Sequence, residues 1–163
     1  MKYIYVFLIS MLPLIELRGA VVYGVALKLN LIKVLVVSVL GNMLVVPFIF
    51  LFARRILIKG SNLKYVGKFF EYILNKGHKA GEKLQSSSKY GVYVALFLFV
   101  GIPLPGTGAW TGTLAASMLD LDFKKSSIAV LFGVLLAFFI MCVVSIGIFG
   151  VIKWVLKLKK QNH

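Results

Sequence analysis

Glu16 and Arg18 are the residues whose types and spacing offer chemistry in a chain otherwise short of it. Both stand inside an apolar run from Tyr3 to Leu27. An ionisable group at that depth costs at least about 2.5–3.5 kcal/mol on insertion scales and usually faces a bundle interior or a water-filled cavity. A carboxylate there can hold a cation or carry a proton. A guanidinium offers donors shaped for phosphate or carboxylate. Two positions apart, the pair does not share a helix face, so they meet only if the backbone unwinds after Pro13, or each finds a partner elsewhere. Two readings stand side by side: a buried pair that fixes helix packing, and a substrate-binding or proton-coupling pair.

The second constellation is Gly101-Ile102-Pro103-Leu104-Pro105-Gly106-Thr107-Gly108-Ala109-Trp110-Thr111-Gly112, again within a long apolar run. Two prolines and four glycines in twelve residues cannot continue a regular helix, because proline lacks the N–H and clashes with the preceding turn. In hydrocarbon a broken helix persists only where protein or a watery cavity satisfies its freed backbone groups. A break at this depth therefore predicts a site.

These two segments need elements to hold them. With 60% hydrophobic residues, five acids in 163 residues and a mean hydropathy of +0.95, the chain is expected to be an all-α integral membrane protein forming one domain over 1–163. Four apolar stretches, Tyr3 to Leu27, Leu31 to Ala53, Val92 to Leu119 and Ile128 to Leu156, each reach the roughly 20 residues that span a bilayer core. The first stretch is read as mature structure and not as a cleaved signal, since its apolar run continues past Pro13 without a small-x-small site. The net charge of +14 reflects basic residues flanking the apolar segments, which loop bias and anionic lipid explain; no nucleic acid is expected as a partner. Cys142 is read as a small apolar filler, and Asn42, beside Gly41, as interhelical glue ahead of a ligand. Ser127 is placed to cap the last segment.

The connector from Arg54 to Gly91 carries nine Lys or Arg against Glu71 and Glu82. Leu63, Val66, Phe69, Phe70, Ile73 and Leu74 mark one face at helical spacing, which predicts an amphipathic helix lying among lipid headgroups. A lone loop His78 is read as solvated.

The halves 3–53 and 92–157 repeat weakly. Leu12-Pro13-Leu14 matches Ile102-Pro103-Leu104 at an offset of 90, as does Leu29-Asn30-Leu31 with Leu119-Asp120-Leu121; after a two-residue insertion, Lys33 meets Lys125 and Leu40-Gly41 meets Phe132-Gly133. If the broken segments dip in and return, each half crosses once and the halves form an inverted repeat. If they cross fully, there are four spans and a parallel repeat. Charge bias favours four crossings, with fourteen basic residues against four, whereas hairpins spread them seven against eleven. Backbone satisfaction is the harder constraint and favours two re-entrant hairpins with two spanning helices.

The strings Pro13-Leu14-Ile15-Glu16-Leu17-Arg18-Gly19-Ala20 and Pro103-Leu104-Pro105-Gly106-Thr107-Gly108-Ala109-Trp110-Thr111-Gly112 resemble the prokaryotic small multidrug export protein family over nearly the whole length. The second half is similar, more distantly, to DedA-type membrane proteins, with Ala115, Ala116, Met118 and Phe123 in the places of that family's small-residue stretch, Met and Phe. The resemblance to them implies paired re-entrant hairpins, an inverted repeat and lipid-carrier translocation or proton-dependent envelope physiology. DedA proteins carry an arginine in the second hairpin; Gly106 to Gly112 holds none, and Arg18 is the available substitute.

The expected function is a small multi-pass transporter of the cell membrane, a secondary carrier or flippase, taking an anionic or amphipathic substrate between the two broken segments. The substrate set is Glu16, Arg18, Pro103, Pro105, Gly106, Thr107, Gly108, Trp110 and Thr111. In a lipid-phosphate version, for a polyprenyl-phosphate-type substrate, Arg18 and the amides of Gly106, Thr107 and Gly108 lead. In a cationic-drug version Glu16 is the counter-ion to a lipophilic cation and Trp110 a cation–π wall. Glu16 is also the proton-coupling candidate. Membrane lipids and a second copy in a homodimer are the other expected partners. The rival is a membrane scaffold or assembly factor whose broken helices only pack. With no HExxH, Cys/His cluster, nucleophile elbow or Walker loop, no catalytic activity, metal or cofactor is expected.

Overall fold

The computed structural model describes residues 1–13, 15–61, 90–104 and 106–161, with Lys68 and Asn75 between them. The expected amphipathic helix over 63–74, together with Leu14 and Pro105, lies outside the described residues. The described residues are helical, without strands: α1 (Lys2–Met11), α2 (Glu16–Ala26), α3 (Leu31–Ser61), α4 (Gly91–Gly101), α5 (Ala109–Met118) and α6 (Phe123–Gln161).

Pro13 and the Pro103–Gly108 run do what their chemistry requires. Two of the four apolar stretches are therefore not single helices: each divides into a pair of ten or eleven residues, about 15 Å long. Both pairs fold back at the break. Tyr5 of α1 packs edge-on against Tyr23 of α2, ring centroids 6.5 Å apart, and Ile9 lies against Gly19. Across the second break Gly112 lies so close to Val100 and Leu96 that a Cβ would overlap Val100. The other two stretches remain continuous, and within α3 and α6 the segments Leu31–Ala53 and Phe123–Trp154 are long and apolar enough to cross a membrane.

Each long helix packs against the first short helix of its own half and the second short helix of the other half, so α3 holds α1 and α5 while α6 holds α4 and α2. Glycines set two of these approaches. A Cβ at Gly41 would overlap the Ser10 hydroxyl and press on the Phe7 carbonyl; one at Gly133 would press on Val100 and the Phe97 carbonyl. Gly133→Leu is expected to push α4 from α6 and lower stability by about 1–3 kcal/mol, read as an earlier thermal transition in detergent. Gly147→Leu, with no atom within 4 Å of the added Cβ, is expected to leave that transition unchanged or slightly raised.

The halves also end alike. After α2 and after α5 the chain turns through a residue in the left-handed region, Lys28 at φ 52° and Asp120 at φ 54°. The next amide reaches back five residues, Leu29 N–H to Gly24 O at 2.9 Å and Leu121 N–H to Ala116 O at 3.0 Å, which satisfies carbonyls at the helix end. An N-cap follows: Asn30 Oδ1 accepts from Ile32 and Lys33 N–H at 3.0 and 3.2 Å, and Asp122 Oδ1 accepts from Lys125 N–H at 2.8 Å. Lys33 then lies over the Tyr3 ring at 6.0 Å, and Lys125 over the Tyr93 ring at 5.8 Å.

Two expectations change here. Ser127 lies inside α6, because Asp122 starts the helix earlier with a stronger acceptor. The Leu29 match is to Leu121, not Leu119, since turn and cap already stand 92 residues apart; the extra two residues fall in the Pro103–Gly108 loop. Phe50 packs on Phe123 with centroids 5.1 Å apart, and Ser117 Oγ donates to Phe50 O at 2.9 Å. The far end of α3's apolar span thus sits beside the start of α6. The Tyr3 and Tyr93 ends of the two hairpins lie at opposite ends of the long-helix pair, and the breaks meet between them.

Candidate functional site

The first tip is held from behind by α3. Asn42 is almost fully buried, and with its amide nitrogen donating to Ser10 O and its oxygen accepting from Leu17 N–H, both at 3.2 Å, it ties the end of α1 to the start of α2. Glu16 opens α2 at φ 50°, a conformation that costs a non-glycine residue about 1–2 kcal/mol. Its N–H donates to Leu12 O at 3.0 Å, and its side chain is thereby aimed away from α2.

That side chain caps the other hairpin. Glu16 Oε2 accepts from Ala109 N–H at 3.1 Å and Oε1 from Trp110 N–H at 2.9 Å, the first two amides of α5. A carboxylate there meets both unsatisfied donors and the positive end of the helix dipole, and each such bond is worth about 1.5–3 kcal/mol. The equivalent of Leu17 in the second half is Ala109, and the equivalent of Asn42 is Val134, which has no acceptor. The first tip is capped from its own long helix; the second borrows Glu16. Gly108, at φ 141°, is the residue that lets them approach, because a Cβ there would overlap the Glu16 carboxylate.

Arg18 answers the opposite need. The broken end of α4 leaves carbonyls without helical donors, and the guanidinium donates to Leu104 O, to Ile102 O at 3.4 Å and to Thr107 Oγ1 at 2.7 Å. Thr107 is the hub of that loop: its hydroxyl lies 2.9 Å from both Ile102 O and Leu104 O, and its own N–H donates to Leu104 O at 3.2 Å. The position equivalent to Arg18 is Trp110, and its Nε1–H donates back to Met11 O, at the broken end of α1, at 3.1 Å. Each tip thus sends one side chain into the open carbonyls of the other. Trp110→Phe is expected to remove that return bond at a cost of about 1 kcal/mol, checked by thermal melting.

Beside this latch lies a cavity of about 430 Å³ lined by Pro13, Glu16, Val45, Phe48, Ile49, Phe52, Ala53, Gly106, Thr107, Trp110, Thr111 and Leu114. Among the described residues its walls are mostly apolar and aromatic, and Glu16 is the charged group on them. Small-molecule sites have this size and this mixture of apolar wall and few polar groups.

Of the residues singled out in the sequence, Glu16, Gly106, Thr107, Trp110 and Thr111 line this cavity. Gly108 is buried against Glu16, Arg18 faces the other side of the latch, Pro103 shapes the loop, and Pro105 lies outside the described residues. Of the amides expected to receive an anion, that of Thr107 donates to Leu104 O, and the Ala109 and Trp110 amides at the start of α5 hold Glu16. An incoming anion meets a carboxylate there first. Met11, Asn42 and the α3 wall of Phe48, Ile49 and Phe52 were not singled out as site residues. The four-residue spacing of Phe48 and Phe52 is the signal that was available for the wall, and it is the same spacing a lipid-facing stripe would show.

Residues 16–140 match the family described as "Putative small multi-drug export protein". The chain belongs to this family. It is a membrane protein of an export family and not of an enzyme family, and the matched region opens at Glu16 and contains both the Glu16 and the Arg18 contacts between the tips. No curated protein and no solved structure matches the chain, and the likeness to DedA-type proteins gains nothing from these comparisons.

Proposed function

We propose that this chain is a secondary carrier for lipophilic cations, with Glu16 as the counter-ion and the cavity bounded by Phe48, Phe52, Trp110 and Leu114 as the binding chamber. The observation that carries the reading is the Glu16 carboxylate on the wall of a cavity that, among the described residues, is mostly apolar and aromatic. A delocalised organic cation loses little hydration on entering such a space, gains dispersion and cation–π contact with Trp110, and is attracted by a negative charge in low dielectric.

In the membrane the two helix pairs are re-entrant hairpins entering from opposite faces, each about half a bilayer deep, and α3 and α6 span it. The chain is then a multi-pass protein of the cell membrane and an inverted repeat. The half-bilayer length of the short helices, the opposite placement of the two Tyr–Lys pairs and the shared turns and caps support that topology. Glu16 couples transport to protons because a proton and the cation compete for the same carboxylate. Cation binding therefore strengthens as pH rises in the wild type and loses that slope in Glu16→Gln.

The scaffold reading keeps one observation in its favour: both Glu16 carboxylate oxygens and two of the three Arg18 guanidinium nitrogens already have partners within the chain. The test is uptake of tetraphenylphosphonium into liposomes containing the purified protein, comparing wild type with Leu114→Trp. Leu114 is 42% exposed and makes no latch bond, so the larger ring fills the chamber and leaves the fold intact. A carrier loses uptake in this variant; equal uptake by variant and wild type, or none above empty liposomes in either, leaves the scaffold.

A further inference from the structure

The latch has a second face. Ile15, Arg18, Gly19, Val22 and Met141 line a shallower groove there, with Ile9 and Tyr23 beside them. Shifted by 92 residues, those five positions are Thr107, Trp110, Thr111, Leu114 and Ile49, all of which line the Glu16 cavity. The repeat has therefore built the same recess twice, once on each side of the tip contact. Their charges are opposite: the first recess carries Glu16, and the second carries Arg18 where the first has Trp110.

We infer that the Arg18 groove is a separate binding site for amphipathic anions, with a carboxylate or phosphate head on Arg18 and an alkyl tail along Val22, Tyr23 and Met141. A guanidinium has five N–H donors, and three bonds, all to the Ile102–Thr107 loop, engage two of its nitrogens. Donors remain for a head group, and Arg presents them in the fork that carboxylate and phosphate fit. An alkyl chain on Val22, Tyr23 and Met141 covers apolar surface. Fatty carboxylates and phospholipid-type phosphates share this chemistry.

A head group that pulls Arg18 from Ile102 O and Leu104 O loosens the contact between the tips, and so does a cation that draws Glu16 from the Ala109 and Trp110 amides. The opening cost is then borne once for two ligands, so lipophilic anion and lipophilic cation are expected to bind with positive coupling of about fivefold or more. This last point, unlike the anion site itself, rests on the carrier reading above.

The experiment measures binding of a fluorescent polyene fatty acid, a monoalkyl phosphate and inorganic phosphate to the purified full-length protein in neutral detergent, with tetraphenylphosphonium as the second ligand. Val22→Trp fills this groove and Leu114→Trp fills the other. Val22 is 40% exposed, so the variant keeps its core. The expected result is a crossed pattern: Val22→Trp and Arg18→Gln weaken the alkyl anions at least tenfold, Val22→Trp leaves tetraphenylphosphonium binding intact, and Leu114→Trp does the reverse. Tighter binding of fatty acid or of alkyl phosphate identifies which head group the site prefers; inorganic phosphate alone binding would overturn the amphiphile. Alkyl anions that bind wild type and Val22→Trp equally, or not at all, overturn the site whatever tetraphenylphosphonium does. Loss of tetraphenylphosphonium binding alone, with the anion pattern kept, sinks the carrier reading and leaves this one standing.

Discussion

Glu16→Gln is expected to weaken tetraphenylphosphonium binding at least about tenfold, some 1.4 kcal/mol, in a protein that still melts cooperatively. The substitution preserves shape and removes the charge. Glutamine retains one acceptor oxygen, so one of the Ala109 and Trp110 amides keeps its partner and the other faces an NH2 group. One unsatisfied buried donor costs about 1–3 kcal/mol, which a tip also held by Asn42, Arg18 and Trp110 tolerates. Glu16→Ala removes both bonds and is expected to lower stability further. Binding by isothermal titration and melting in the same detergent separate the two effects. Unchanged tetraphenylphosphonium affinity in a folded Glu16→Gln protein is incompatible with a counter-ion role.

Gly108→Ala is expected to be the most damaging single methyl in the chain, lowering stability by more than about 3 kcal/mol. The backbone there, φ 141° and ψ −170°, belongs to a region open to glycine almost alone, and the added carbon would overlap the Glu16 carboxylate. Relief requires Glu16 to withdraw, which strips two amides of their acceptor and parts the tips. Gly106→Ala is the control: φ is 79°, but nothing lies within 4 Å of its Cβ, so only the left-handed penalty of about 1–2 kcal/mol remains. Melting temperatures of the two variants in one detergent check the difference.

The meeting of the two tips was legible before any coordinates, because ionisable side chains and proline–glycine breaks at lipid depth both demand partners and each offers what the other lacks. The particular bonds were not legible. Which amides Glu16 would take depends on Val134 standing where Asn42 stands in the first half, a difference invisible until the repeat is in register. That register was itself displaced at Leu29, since Leu119 and Leu121 are indistinguishable as letters and only the turn through Asp120 tells them apart. The cavity wall was hidden for a different reason. In a soluble protein Phe48 and Phe52 would announce a buried face, but in a bilayer apolar side chains line chambers and meet lipid alike, so hydrophobicity carries no information about which.

The sharing of Glu16 between halves bears on how the protein is made. The carboxylate and its acceptor-seeking amides are 93 and 94 positions apart in the chain, so the ribosome finishes the first hairpin long before the start of α5 exists. On the re-entrant topology proposed above, Glu16 waits during that interval in the headgroup region, in water or against the insertion machinery, since burial without its partners is prohibitive. Completion of the second hairpin is thus the event that draws the first one to its final depth, and cutting the polypeptide between 61 and 90 should yield an N-terminal fragment that stays shallow until the missing half is supplied.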